Sequence, residues 1–318
     1  MKTPIAATIL CCSFLAASCG DRAAAPGRTI GVSIPAADHG WTGGVVWWAQ
    51  QTKKTLESSD AANVRVLLAT SKSSEEQASA VENMLVQGVD ALVILPNEPA
   101  PLTPVCRQVA AAGIPLVVVD RGLEDPSLAT LSVVGDNPGF GRVSAERLVA
   151  ALGGKGDVAL MHGVLCQVDT DRVDAFKKVL ADHPDVRLVD EGVADWSTEK
   201  GLSLMETFLQ KHPKLDAVWT GDDDVLLGAL QAYRESGRSD LKALLGGGGS
   251  KAVVKMVLDG DPLVSQTVTY PPKMIQVAML RALAILDGSD ESEKTVVVPA
   301  EVIDASNAAD NYFPDSAY

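Results

Sequence analysis

The sequence contains few cysteines, no cluster of basic residues and, after its first residues, no long apolar run. With a net charge of −14 and a pI near 4.7, it is a poor partner for nucleic acid or anionic lipid headgroups. Without a second apolar run of spanning length, the body of the chain is not typical of a membrane-spanning protein. The 47% hydrophobic content instead indicates a globular chain.

The sequence also lacks the motifs of common catalytic sites. It has no GxSxG, no Walker motif and no GxGxxG after its first strand. The run Gly246–Gly249 is followed by Ser250 and Lys251, the reverse of the order that phosphate chemistry needs. The three consecutive carboxylates Asp222–Asp224 cannot converge on a cation from a helix start. We therefore expect no metal site and no cofactor, and an enzyme remains only a remote alternative.

Two cysteines remain in the body of the chain, Cys106 and Cys166, because the other three lie near its start. They fall on opposite halves of the element pattern, and neither belongs to a CxxC or a metal spacing. We expect two buried thiols rather than a bridge.

The first residues resemble a bacterial lipoprotein signal. Lys2 precedes the apolar run Ile5–Ala17, and small residues lead directly into Cys19. This pattern predicts a signal peptide over 1–18, diacylation of Cys19 and a polar tether over 19–27. The alternative is an ordinary signal peptide with a chance cysteine, since Leu15 stands four residues before Cys19 where a lipobox prefers three.

Short β-branched runs alternate with helical patterns along the rest of the chain, ten strand candidates between residues 28 and 268. Strand–helix alternation indicates right-handed crossovers and parallel sheets covered on both faces. Ala91–Leu95 and Leu116–Val119 are apolar throughout, as strands buried on both faces should be. The roughly 290 residues after the signal exceed one usual core, so we expect an α/β protein of two lobes.

Seven phrases occur in a specific order: ALVILPNEP, GIPLVVVDRG, VVGDNPGFGR, DRVDAF, VADWSTEKGL, AVWTGDDDVLLGAL and VTYPP. Together they resemble the periplasmic ribose-binding-protein family, the sugar-binding proteins of ABC importers, which share their fold with lac-repressor-type effector domains. A lipid signal stands where a repressor carries its helix-turn-helix, which removes the repressor interpretation. The resemblance implies a type I periplasmic binding protein, in which two Rossmann-like lobes with parallel sheets are joined by a three-crossing hinge.

The resemblance also implies the lobe boundaries, with crossings near Asp136, Thr269 and Pro299. The expected N-terminal lobe is 28–136 plus 270–298, and the expected C-terminal lobe is 137–268 plus 299–318.

Charged side chains at strand ends are the first candidates for holding a ligand, since open α/β sheets bind ligands at that edge. Asp120 and Arg121 close the run PLVVVD and resemble the family's sugar-gripping pair. A carboxylate and a guanidinium can accept from and donate to neighbouring hydroxyls. Arg172 matches a second ligand arginine. The alternatives are a salt bridge within the lobe for the pair and a solvated helix position for Arg172.

Trp41 and Trp196 match family aromatics that face the sugar ring from the two lobes. The alternative for each is core packing, which is the expectation for Trp47, Trp48 and Trp219.

Asp222 takes the place of a family asparagine, and as a carboxylate it would accept hydrogen bonds but not donate them. The alternative for the triplet is a helix cap. Asp38 and His39 of the first loop are further candidates, and Thr269 aligns with a family glutamine. Gly248 takes the place of a family aspartate, which we expect to widen the pocket.

These residues predict a solute-binding lipoprotein that captures a small neutral polyhydroxylated ligand, such as a pentose, a polyol or a related sugar. It would be periplasmic or extracytoplasmic, lipid-anchored to a bacterial membrane, and would serve an ABC permease and its ATPase. The alternative is a sensor subunit that reports to a chemoreceptor or kinase.

Overall fold

Two parallel β-sheets organise the chain in the computed structural model, which describes residues 27–37, 40–58, 63–290 and 293–318. The larger sheet has six strands in the order β11-β5-β4-β3-β1-β2, and the smaller has four in the order β7-β6-β8-β9. A short antiparallel pair, β10–β12, accompanies them. The larger sheet contains β1 (Arg28–Pro35), β2 (Val64–Ser71), β3 (Ala91–Ile94), β4 (Leu116–Val119), β5 (Leu131–Gly135) and β11 (Thr295–Val298). The other strands are β6 (Gly156–His162), β7 (Val186–Val193), β8 (Ala217–Trp219), β9 (Ala243–Leu245), β10 (Gln266–Val268) and β12 (Val302–Asp304).

Nine α-helices cover the sheets in the described part of the chain. They are α1 (Gly40–Glu57), α2 (Ser74–Val86), α3 (Pro99–Ala111), α4 (Asn137–Leu152), α5 (Gln167–Ala181), α6 (Thr198–Lys211), α7 (Asp223–Glu235), α8 (Lys251–Asp259) and α9 (Met274–Asp287). None of these helices is long and apolar enough to cross a membrane.

The central strands of the larger sheet are apolar because both of their faces are buried. Val93 belongs to the core that includes Ala49 of α1 and Ala278 of α9. Its neighbour Leu92 belongs to a second core with residues of α2 and α3. Successive side chains of a strand point to opposite faces, so helices on both faces require an apolar residue at every position. The predicted α/β class with parallel sheets is confirmed.

Three chain segments run side by side between the two sheets. Asp136 joins β5 to α4, the segment Thr269–Pro272 joins β10 to α9, and Pro299–Glu301 joins β11 to β12. Asp136 N–H donates to the carbonyl of Val298 (3.0 Å), and Thr269 N–H donates to the carbonyl of Glu301 (2.7 Å). These hydrogen bonds tie the three segments to one another.

Candidate functional site

Asp120 follows β4 and points toward the segments between the sheets. Its φ is +59°, a left-handed conformation that a non-glycine residue adopts only when its surroundings hold it there. The carboxylate is 8% exposed and accepts a 2.5 Å hydrogen bond from the hydroxyl of Tyr270. The guanidinium of Arg121 lies 3.9 Å away and donates to the carbonyl of Asn97 (2.9 Å). The Asp120 side chain therefore contacts the crossing after β10, whereas the Arg121 side chain contacts Asn97, which follows β3 of the larger sheet.

Arg172 lies in α5 and is 7% exposed, so its interpretation as a solvated helix residue is wrong. Its Nε donates to Oδ1 of Asn137 (2.9 Å), and a terminal nitrogen donates to the carbonyl of Gly221 (3.1 Å). The guanidinium lies 4.3 Å from the ring centre of Phe140 and 4.4 Å from that of Tyr270. Cation–π contacts of this kind stabilise a partly desolvated arginine. These bonds use two of its five donors.

Tyr270 is the residue that connects the candidates of the two lobes. Its hydroxyl meets Asp120, its ring meets Arg172, and its carbonyl accepts from the indole N–H of Trp41 (2.9 Å). Burial, followed by the charge of Asp120, raises the pKa of its phenol, which therefore stays protonated and donates. Tyr270 stands within the phrase VTYPP, but no role is predicted for it from the sequence.

Trp41 and Trp196 do not meet. Trp41 packs at a tilt against Tyr270, with ring centres 5.9 Å apart, whereas no ring contact among the described residues involves Trp196. Trp196 has φ +54° and lies against Gly163, where an added Cβ would come 1.8 Å from the indole nitrogen. The structure therefore brings Trp41 to the Asp120–Tyr270–Arg172 group, and it holds Trp196 at the end of β6.

Thr269 takes part in the crossing itself. Its hydroxyl accepts a hydrogen bond from the backbone N–H of Glu301 (2.9 Å), in addition to the backbone bond between the same residues. The hydroxyl keeps its O–H donor and a second acceptor lone pair, which a ligand could use.

Asp222 caps α7, as the alternative interpretation of the triplet predicted. Its Oδ1 accepts from the backbone N–H groups of Asp224 (2.8 Å) and Val225 (3.2 Å). The side chain keeps a little exposed surface, but burial among protein atoms, then the charges of Asp224 and Asp223, raise the pKa of its carboxyl to about 8. A carboxyl with a raised pKa takes up a proton more readily, and its protonated form can donate as well as accept.

Asp223 has a different role from Asp222. It is fully buried and accepts from the hydroxyl of Thr267 (2.9 Å) and the backbone N–H of Ser250 (2.7 Å). Burial raises the pKa of its carboxyl to about 6. Asp223 thus links the starts of α7 and α8 to β10.

The glycine run after β9 does not widen a pocket. An added Cβ at Gly247 would lie 1.9 Å from the ring of Phe140, and one at Gly248 would lie 1.9 Å from the hydroxyl of Tyr318. The expectation of a wider pocket is wrong, because the side chains of Phe140 and Tyr318 fill the space beside these glycines.

Other expectations have mixed outcomes. Cys106 and Cys166 are free thiols, but only Cys106 is buried; Cys166 is exposed where α5 begins, which corrects the expectation of two buried thiols. Trp219 is fully buried and stacks on Phe176 at 4.0 Å, so it packs as predicted. Asp38, His39 and Cys19 lie outside the described residues.

Comparisons with known proteins give a consistent family. The sequence matches a family profile described as a periplasmic binding protein domain over residues 30–290. The ribose import binding protein of Bacillus subtilis is 32% identical over 239 residues, which cover 74% of this chain and 76% of that protein. The xylitol-binding protein of Mycolicibacterium smegmatis is 30% identical over 227 residues, which cover 70% and 64%.

A solved structure extends the likeness to three dimensions. The periplasmic binding protein of the arabinose ABC transporter from Shewanella sp. ANA-3, bound to α- and β-L-arabinofuranose, is 28% identical with a TM-score of 0.76. The alignment covers 89% of this chain and 94% of that chain. Since the family match spans most of the chain and the fold agrees with it, the protein belongs to the periplasmic binding protein domain family.

Proposed function

We propose that the protein is an extracytoplasmic solute-binding protein of an ABC transporter, which captures a monosaccharide or polyol between its lobes and presents the closed form to the permease. The observation that carries the proposal is the group formed by Asp120, Tyr270 and Arg172. These side chains come from the larger sheet, from a crossing and from the helix α5 that covers the smaller sheet. A ligand in contact with all three would hold the two lobes together.

The chemistry of this group suits a neutral molecule rich in hydroxyl groups. Asp120 offers carboxylate acceptors, Arg172 offers donors, and the rings of Trp41 and Tyr270 offer apolar surface to C–H groups. The relatives named above are described as binding ribose, xylitol and arabinose, which supports the same class of ligand.

A pentose other than ribose, a polyol or a related sugar is favoured over ribose itself. Gly248 offers no side chain where the ribose-binding family has an aspartate, and Asp222 replaces an asparagine. An anionic sugar phosphate is disfavoured, because the carboxylates at the start of α7 would repel it.

A thermal-shift screen tests this proposal. The panel contains pentoses, hexoses, polyols and cyclitols, with amino acids and sugar phosphates as matched controls. A ligand at a hundred times its Kd stabilises the native state by about 2.7 kcal/mol, which corresponds to roughly 5 °C in a protein of this size. A neutral sugar or polyol should give the largest shift. The largest shift from an amino acid or a sugar phosphate would contradict the proposal.

Lipid anchoring through Cys19 is a second part of the proposal, supported by the small residues that precede it. Cys19→Ala should move the protein from the membrane fraction to the soluble periplasmic fraction, since two acyl chains provide stable attachment. Cys12→Ala, within the apolar run, is the matched control and should stay membrane-bound. A Cys19→Ala protein that remains fully membrane-bound would show that the anchor is not at Cys19.

A further inference from the structure

The segment 313–318 crosses from one lobe to the other. Lys251, at the start of α8, donates through Nζ to the carbonyls of Pro314 (3.3 Å) and Ser316 (2.5 Å). The ring of Phe313 packs against Trp48 of α1 at 5.1 Å in a T-shaped contact. Since α1 covers the larger sheet and α8 packs beside β10 and β12, the segment contacts elements of both lobes.

The segment places Tyr318 between the lobes, where it is only 7% exposed. Three glycines make room for it. An added Cβ would lie 2.9 Å from the Tyr318 ring at Gly40, 2.9 Å from the Tyr318 Cβ at Gly44 and 1.9 Å from the Tyr318 hydroxyl at Gly248. Side-chain atoms do not approach a Cβ this closely, so a larger residue at any of these positions would displace the ring.

Tyr318 also borders the candidate ligand residues. Burial raises the pKa of its phenol well above the usual value, and the carboxylates Asp222–Asp224 add to this effect. The charge of Arg172 opposes this rise in pKa. The phenol therefore stays neutral at the end of the cleft that contains Gly248.

We propose that Tyr318 is a specificity-determining residue whose ring forms a fixed wall of the cleft at its Gly248 end. The Tyr318 hydroxyl fills the space beside Gly248, so we expect a pentose to bind more tightly than the hexose with one added hydroxymethyl group. This inference rests on the proposed function, because it concerns the same cleft.

The test compares ligand pairs that differ only by that group: xylose and glucose, arabinose and galactose, ribose and allose. Isothermal titration gives the ratio of Kd for the hexose to Kd for the pentose. One methylene in an apolar site changes affinity by about 10- to 200-fold. Tyr318→Ala should therefore lower the ratio at least tenfold. Tyr318→Phe, which keeps the ring, should leave the ratio within about twofold of wild type.

A second measurement checks that the ring occupies its place in solution. Gly40→Ala should lower the melting temperature of the wild-type protein and should have little effect in the Tyr318→Ala protein. Equal effects of Gly40→Ala in both backgrounds would overturn the inference.

The binding outcomes separate this inference from the proposed function. An unchanged ratio in Tyr318→Ala, or an equal gain in affinity for both members of a pair, would overturn the role of the wall alone. A wild-type protein that binds no neutral sugar or polyol would overturn the proposed function itself.

Discussion

At the scale of single residues, the protonation of Tyr270 and Asp222 decides what the cleft can offer a ligand. Tyr270 keeps its proton and donates a hydrogen bond to one oxygen of Asp120, so that carboxylate oxygen is oriented and the other remains an acceptor. Burial raises the pKa of Asp222 to about 8, and in its protonated form the oxygen that does not cap α7 can donate. The cleft therefore offers acceptors and donors in a fixed arrangement, which is what discrimination among hydroxyl configurations requires.

Asp120→Ala should weaken binding of the native ligand by more than tenfold. The variant should remain folded at the temperature of the binding experiment. Removing one partner of a desolvated, hydrogen-bonded contact with a charge costs about 2–5 kcal/mol. Titration calorimetry measures the loss. Asp174→Ala, at an exposed position of α5, is the matched control and should bind as wild type does. Equal affinity in Asp120→Ala and Asp174→Ala would remove Asp120 from the site.

Asp222→Asn should flatten the pH dependence of stability. The pKa of Asp222 is about 8 in the folded protein and 3.8 in the reference state, so between these values the folded state holds a proton that the unfolded state releases. The free energy of unfolding of the wild type therefore falls as pH rises from about 4 to 8. Asparagine keeps the cap and has no proton to lose.

Urea unfolding at pH 4.5 and at pH 8 measures this effect. The variant should match the wild type at the lower pH and exceed it by on the order of 1–3 kcal/mol at the higher pH. Parallel profiles would mean that Asp222 is ionised in the folded protein.

The sequence supports a prediction of Asp120, Arg172 and Asp222 as candidates, because each stands at a strand end or a helix start that local patterns locate. It does not indicate Tyr270, whose partner Asp120 is 150 positions away and meets it only where the crossings fold together. The raised pKa of Asp222 has the same origin. Burial raises its pKa, and burial is a property of the assembled lobes.

At the scale of elements, two helix pairs depend on glycine for close approach. An added Cβ at Gly141 of α4 would lie 1.9 Å from the carbonyl oxygen of Arg172 in α5, and one at Gly228 of α7 would lie 1.9 Å from that of Thr198 in α6. Backbone atoms cannot give way as flexible side chains can, so these contacts fix the distance between the helices. The first contact also fixes the position of Arg172.

Gly141→Ala should therefore lower both stability and ligand affinity. Overpacking of this kind costs about 1–3 kcal/mol, and the displaced helix carries Arg172 away from the cleft. Thermal unfolding and titration of the same samples measure the two effects. Gly122→Ala, where nothing lies within 4 Å of the added Cβ, is the control and should change stability by less than about 0.5 kcal/mol. Equal behaviour of the two variants would contradict the close packing of α4 on α5.

Elements with strong local signals were predictable, including the three-residue strands β8, β9 and β10. Apolar runs located β3 and β4 to within a residue, and proline or glycine marked the ends of many helices. The helix α8 and the strands β11 and β12 were not predicted. They have nine, four and three residues, and the partner strand of β11 is far away in the sequence. Pairing with β5 and β10 defines these strands more than their own residues do.

At the scale of the whole molecule, the three crossings make closure the natural response to a ligand. They are hydrogen-bonded to one another, and Asp120 and Arg172 lie on either side of them. A ligand that contacts both sides gains both sets of interactions only when the lobes approach. Small-angle scattering should therefore show a smaller radius of gyration with ligand, and Trp41 fluorescence should change. Binding with no change in the radius of gyration would contradict closure.

The most direct test of the central claim is a crystal structure of the protein with the sugar or polyol that gives the largest thermal shift. The ligand should lie between the two sheets, with one hydroxyl within hydrogen-bond distance of the Asp120 carboxylate and another within that distance of the Arg172 guanidinium. A ligand bound to one lobe alone, or at a site that touches neither side chain, would contradict the account.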